Sequence, residues 1–229
     1  MVAEGLQEGF GLLFGLDPDV WSAVRVSLMV SSISTAVAAA LAFPVALGVG
    51  LWSFPGRGVV ESLLNTMMAL PTVVVGLVVY GLISRSGPLG EFGILYTPTA
   101  MVVGQAVLAF PLMAALGVAS LRQVDRRVRE TTLAMGGGEF RAAVEVAWEG
   151  RVALLSALVA GFGRVFAEVG VSMMLGGSIR GYTRNIPTGI AFETGRGEFA
   201  RGVALGVVLL TVALAVNLAL QIWRPRRES

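Results

Sequence analysis

Between Arg25 and Arg57 the chain runs through VSLMVSSISTAVAAALAFPVALGVGLW without a charged side chain. A helix that crosses a bilayer needs about 20 mostly apolar residues, and four more stretches meet that requirement. SLLNTMMALPTVVVGLVVYGLIS lies between Glu61 and Arg85, TPTAMVVGQAVLAFPLMAALGVASL runs from Thr97 to Leu121, and GVALGVVLLTVALAVNLALQIW runs from Gly202 to Trp223. The remaining stretch, Val152 to Gly177, is long enough but is interrupted by Arg164 and Glu168. Asp17 before Pro18 marks a helix start, a capping side chain followed by a proline whose missing N–H costs nothing in the first turn. Pro44, Pro71 and Pro111 fall inside spans and predict kinks. The fold class expected is an all-α membrane protein with five transmembrane helices.

Composition agrees and narrows the chemistry. Of the 229 residues 55% are hydrophobic and 14% charged, against roughly 25% charged in a soluble domain. The chain has no Cys and no His, and all 17 cationic side chains are arginine. Thiolate chemistry, disulfides, histidine-held metals, a Schiff-base lysine and a phosphate-binding P-loop lysine are therefore excluded. A net charge of +2, spread among apolar blocks, argues against a nucleic-acid partner. The acidic start, with Glu4, Glu8, Asp17 and Asp19 and no basic residue, is wrong for a cleaved signal peptide. Leu6, Phe10, Leu13 and Phe14 recur at helical spacing over a run too short to span, which predicts an interfacial helix within residues 1–16, with a frayed tail as the alternative.

Five spans place the two ends on opposite sides. With the N-terminus outside, ten arginines fall on the cytoplasmic side and six outside, so the positive-inside rule favours N-out and C-in. Trp21, Tyr80 and Tyr96 then lie near the outer boundary, and Trp52 and Trp223 near the inner one.

The polar stretch RETTLAMGGGEFRAA, which opens at Arg129, falls in a cytoplasmic segment between the third and fourth spans, residues 122–150. Asp125 can cap a helix whose apolar edge is Val128, Leu133 and Met135, and Gly136 is placed to end it in the left-handed conformation. A second short helix can begin at Glu139, with Phe140, Ala143, Val144 and Ala147 at helical spacing. Such short helices are marginal alone, so their apolar edges must be covered, either by the protein's own spans or by a separate cytoplasmic protein.

The run E130-T-T-L-A-M-G136 resembles the EAA motif of the membrane permeases of ABC importers, an acidic residue, two small residues, three variable positions and a glycine. The resemblance implies a coupling helix that docks into a cleft of the ATPase subunit. Carried over, Glu130, Thr131, Thr132 and Gly136 are the match, with Gly138, Glu139 and Phe140 opening the second part. VAWEGR stands at 146–151 in place of the usual leucine-proline pair, a departure at the end of the docking surface. NTMMALPTVVVGLVVYGLISRSGPLG (65–90), GFGRVFAEVGVSMMLGGSIRGYTR (161–184), GIAFETGRGEF (189–199) and the N-terminal EGLQEGFGLLFGLDPDVW are similar to the permease of tungstate-type importers, in the molybdate, tungstate and sulfate branch.

Arg164 and Glu168 are the charges inside a predicted span, four residues apart and so on one helix face. Each would cost about 2.5 to 3.5 kcal/mol facing lipid at the membrane centre. Two readings stand: an internal ion pair that fixes packing, or a lining for an anion path. Gly161, Gly163 and Gly170 fit close helix contact under both. The external segment 176–200 contains Pro187 and several glycines, which forbid one continuous helix, and it is a candidate gate or docking loop. There Arg180 and Arg184 can attract a dianion, bind acidic residues of a delivery protein, or sit in a plain solvated loop. Gln105, Asn65 and Asn217 are expected to make interhelical hydrogen bonds.

The resemblance implies a type I ABC importer permease fold in the cell membrane: a homodimer whose interface forms the path, with no catalytic residue or metal of its own. A partner ATPase would bind ATP and magnesium, so this chain needs no cofactor, and an extracytoplasmic binding protein would deliver the oxyanion, tungstate first, with molybdate or sulfate as alternatives. A carrier or channel acting without ATP and a membrane-embedded enzyme are the rivals from other classes. Five spans cannot divide into two equal repeats, which weighs against the carrier.

Overall fold

A computed structural model describes Gly11, Gly15 and residues 17–222. The interfacial helix expected over residues 1–16 falls almost wholly outside them, as do Trp223 and the arginines beyond it. The described chain is helical, with ten α-helices and one short 3-10 turn.

Helix α1 (Pro18–Leu51) begins where the Asp17–Pro18 signal places it. The Asp17 carboxylate accepts the N–H groups of Asp19 and Val20 at 3.0 and 3.1 Å, satisfying two donors that a helix start otherwise leaves open. Arg25, treated above as a span boundary, is an exposed residue within this helix. At 34 residues α1 is about 51 Å long, well over the roughly 30 Å hydrocarbon layer, so its ends reach beyond that layer. α1 continues through Pro44, and α4 (Pro98–Leu121) continues through Pro111.

Pro71 has the opposite effect. It caps α3 (Thr72–Ile83) and separates it from α2 (Arg57–Met68) by a 101° bend. The kink expected at Pro71 is thus an elbow between two separate helices. Proline supplies no N–H and excludes its predecessor from the helical region, so α2 ends before it and a new helix starts after it.

Contacts along the bundle fix the path of the chain. Ser34 meets Gln105, a glycine at 117 meets Ala46, and Gly50 meets Leu121, each pair 71 positions apart, so α1 and α4 run parallel and in register. The elbow must then carry the chain back across the bundle between them. After α4 come α5 (Arg126–Ala134) and α6 (Glu139–Glu149), then α7 (Arg151–Phe166) and α8 (Gly170–Gly176). Gly161 against Met113, Gly104 against Val171 and Leu175, and Gly176 against Met101 show α7 and α8 together running antiparallel to α4 over its length. They too are bent, by 60°. α9 (Ile186–Gly195) leads into α10 (Phe199–Ile222), which packs on α1 and α7 through Leu205, Val208, Val20, Ala23 and Phe166. Among the described residues three helices, α1, α4 and α10, are long and apolar enough to cross a membrane, and five candidate spans result if each bent pair counts as one.

The core is built from small residues and a few polar contacts, as expected where lipid removes most of the hydrophobic drive for helix association. Gln105 is fully buried, accepts the Ser34 hydroxyl at 3.2 Å and donates to Ser172 at 2.9 Å, tying α1, α4 and α8. Such a link contributes about 0.6 to 2 kcal/mol. Asn217 instead donates to the Ala213 carbonyl of its own helix. Gly161 and Gly170 lie against neighbouring side chains, whereas no side chain of the described residues approaches Gly163.

Candidate functional site: a polar hairpin, a bent helix pair and an arginine-lined end

The polar segment after α4 folds as two short helices. The Asp125 carboxylate accepts the Arg127 N–H at 2.9 Å and opens α5. Gly136 has a φ of +82° and stops it, with Gly137 donating back to the Thr132 carbonyl at 2.9 Å. That conformation suits glycine because a Cβ would crowd the backbone. α6 is held down by Ala142, Ala143 and Val146, the last packed with Val49, Val118 and Leu121 of the bundle. Its first residue, Glu139, gathers two other elements, with Arg129 Nη2 at 2.7 and 2.8 Å and Trp52 Nε1 at 3.3 Å. The hairpin is therefore fastened both to itself and to the α1–α2 turn.

Its opposite face is bare. Met135, Phe140 and Trp148 are 77%, 84% and 66% exposed, and Glu130, Thr131, Gly136 and Gly138 are exposed with them. Thr132 differs: it is buried, and its hydroxyl donates to the Val128 carbonyl at 2.9 Å. A concavity of about 600 Å³ opens between the helices, lined in part by Arg127, Thr131, Met135, Arg141 and Glu145. Beside the hairpin, Glu61 on α2 holds Arg57 at 3.0 Å and also Arg122 at the end of α4.

Arg164 and Glu168 are brought together, though not on one helix face. α7 ends at Phe166, Glu168 lies in the break, and α8 starts at Gly170. One Glu168 carboxylate oxygen accepts the Val171 N–H at 3.2 Å, and the other lies 3.8 Å from Arg164 Nη1. Glu168 is 5% exposed while the Arg164 side chain is 40% exposed. The cation thus sits at a helix C-terminus and the carboxylate at the next N-terminus, each where the helix dipole favours it. The i, i+4 spacing indicated the pair, but periodicity carries no sign of a break.

At the far end of the bundle the segment 176–200 is folded rather than a solvated loop. Thr183, Asn185, Ile186 and Thr188 are buried, Asn185 and Thr188 form a capping box for α9, and the Ile186 N–H donates to Ser27 on α1 at 2.8 Å. Pro187 sits in the first turn and starts the helix. Arg180 pairs with Asp19 of α1 through both guanidinium and carboxylate arms. Arg184 lies over the Phe192 ring at 4.2 Å and 3.8 Å from Glu193. Burial lowers the Arg184 pKa from its usual value, with Arg180, Arg196 and Arg201 acting in the same direction against Glu193. Asp19, Glu193 and Arg201 were not singled out from the sequence, since they meet Arg184 only through the packing of α9 on α1 and α10.

Comparison with known proteins places this architecture. No family model matches the chain. A probable anion ABC transporter permease protein of Haloferax volcanii is 40% identical over 86% of this chain and 87% of its own. The tungstate uptake system permease protein of Peptoclostridium acidaminophilum is 37% identical over 94% of this chain and 95% of its own. The molybdenum transport system permease protein of Escherichia coli is 28% identical over 92% and 95%. Among solved structures, an amino acid ABC transporter superposes with a TM-score of 0.65 over 93% of this chain and 95% of that one, at 15% identity, and so shares the fold. Near-complete coverage at these identities, on an all-helical bundle with bent crossings, leads to one conclusion: the chain belongs to the membrane-embedded permease proteins of ABC transporters, the family that includes the tungstate and molybdenum uptake permeases.

Proposed function

We propose that this chain is the permease subunit of an ABC importer for a divalent oxyanion, tungstate first, and that it works as a homodimer coupled to a separate ATPase through α5 and α6. One observation carries the substrate: 37% identity to a tungstate uptake permease across 94% of the chain, against 28% to a molybdenum permease. Five crossings with the N-terminus outside are supported by the parallel α1 and α4, by the two bent returns, and by the ten-to-six arginine asymmetry.

In this reading the exposed face of Glu130, Thr131, Met135 and Phe140 seats on the ATPase. Closure of the ATPase pair pushes the hairpin, and the Glu139 contacts to Arg129 and Trp52 pass the displacement to α1. The bends at Pro71 and Glu168 are places where the crossings can pivot. Arg164, half-exposed beside a carboxylate that offsets its charge, faces the path as a weak attractor rather than a trap. A bound dianion can then leave.

Purification of the detergent-solubilised chain from its own cells tests the partnership, with recovery of an ABC ATPase expected. Competition on transport by the recovered complex tests the substrate. Uptake of labelled tungstate suppressed by excess molybdate but not by sulfate is expected. Suppression by sulfate alone would move the chain to the sulfate branch.

A further inference from the structure

At the end of the bundle remote from the coupling hairpin, about 50 Å along α1, a cavity of about 180 Å³ lies between α1, α9 and α10. That is room for roughly six water molecules. Its walls carry Arg180, Arg184, Arg196 and Arg201 against two carboxylates, Asp19 and Glu193, which leaves a surplus of two positive charges. Asp19 is committed to Arg180. Glu193 stands 3.8 Å from Arg184, beyond hydrogen-bond reach, and its buried second oxygen has no hydrogen-bond partner among the described residues.

We propose that this cavity binds a tetrahedral divalent oxyanion directly, through the guanidinium groups of Arg184, Arg196 and Arg201. Arg184 is held ready for it: Nε donates to the Ser178 carbonyl at 3.2 Å and the guanidinium carbon lies over Phe192, while its terminal nitrogens make no hydrogen bond among the described residues. Arg196 lies 5.5 Å over the same ring, and neither Arg196 nor Arg201 forms an ion pair among the described residues. Guanidinium donors match the paired oxygens of such an anion. A dianion cancels the surplus of two charges, whereas a monoanion leaves half of it. A carboxylate on a delivery protein brings one charge and must reach between three helices, so a free ion fits the cavity better. The choice of ligand rests on the importer reading above, while the cavity and its charges do not.

Equilibrium binding of labelled tungstate to the intact permease–ATPase complex in lipid nanodiscs, without any binding protein, tests this. Saturable binding of one ion per chain is expected, displaced by molybdate but not by equimolar chloride or nitrate. Arg201→Gln, at an exposed position, and Arg184→Gln are each expected to weaken it about tenfold, the loss of one charge-assisted contact. Glu193→Gln is expected to tighten it several-fold by removing the competing carboxylate. No saturable binding, or equal binding by both arginine variants while they remain monodisperse, overturns the proposal. So does a weakened hold on the binding protein with tungstate binding unchanged. A complex that imports tungstate with ATP and its binding protein yet binds none alone overturns the cavity and leaves the importer. Binding at the cavity without ATP-driven uptake does the reverse.

Discussion

At the scale of single residues, Glu168 shows how one side chain can serve two ends. It offsets Arg164 and caps α8 by accepting the Val171 N–H. Glu168→Ala is expected to lower stability by about 1–3 kcal/mol, the cost of leaving a buried donor and a charge without their partner. Glu168→Gln, which keeps an acceptor, is expected to cost less, and thermal unfolding in detergent measures both. An Arg164→Glu, Glu168→Arg exchange would rescue a pair that did nothing else. Here arginine cannot accept the Val171 N–H, so the exchange is expected to restore charge balance without restoring the melting temperature. Full recovery would show that the cap is idle. Gly136 makes a second case: space around it is open, yet its φ is +82°. Gly136→Ala is expected to cost about 1–2 kcal/mol from backbone strain alone, whereas Gly138→Ala, at φ −77° and also in open space, is expected to be tolerated.

At the scale of elements, the caps were legible in the sequence, as was the place of one bend, Pro71, but neither the size of that bend nor the break at Glu168 was. Asp17–Pro18, Asp125 and Gly136 act through neighbours within four residues, so their spacing announces them. Pro71 announces a kink but not its angle, and the break at Glu168 lies inside an apolar run, which hydropathy reads equally well as straight or bent. Pro44 and Pro111 carry the same local signal as Pro71, but their helices continue through them. α9 was readable in principle from Asn185, Pro187 and Thr188, a cap, a first-turn proline and the third residue of a capping box. The glycines around them hid it. The hairpin leads to a prediction of its own. Phe140 is 84% exposed, so Phe140→Ala is expected to change unfolding by no more than about 0.5 kcal/mol. It is nevertheless expected to reduce stimulation of the partner ATPase, as is Glu130→Arg. Unchanged ATPase stimulation in both variants would remove the hairpin from the coupling surface.

At the scale of the whole molecule, the class of fold followed from five apolar runs, and the arrangement followed from contacts that no linear pattern holds. Parallel α1 and α4 force the α2–α3 elbow to act as a return, and the contacts of α7 and α8 along α4 make that pair a second one. The hairpin then comes to one end of the bundle and the arginine-lined cavity to the other. The candidate site was legible in part. Arg180 and Arg184 stood out by charge, while Asp19, Glu193 and Arg201 acquire meaning only when α1, α9 and α10 meet. The transport proposed above is driven from the hairpin end and supplied at the cavity end. The most direct measurement is uptake of labelled tungstate into liposomes holding the permease and its ATPase, with the binding protein outside and nucleotide sealed inside. Accumulation with ATP, and none with a non-hydrolysable analogue, is the result expected. Equal uptake with and without ATP would contradict the account and make this chain an anion carrier in its own right.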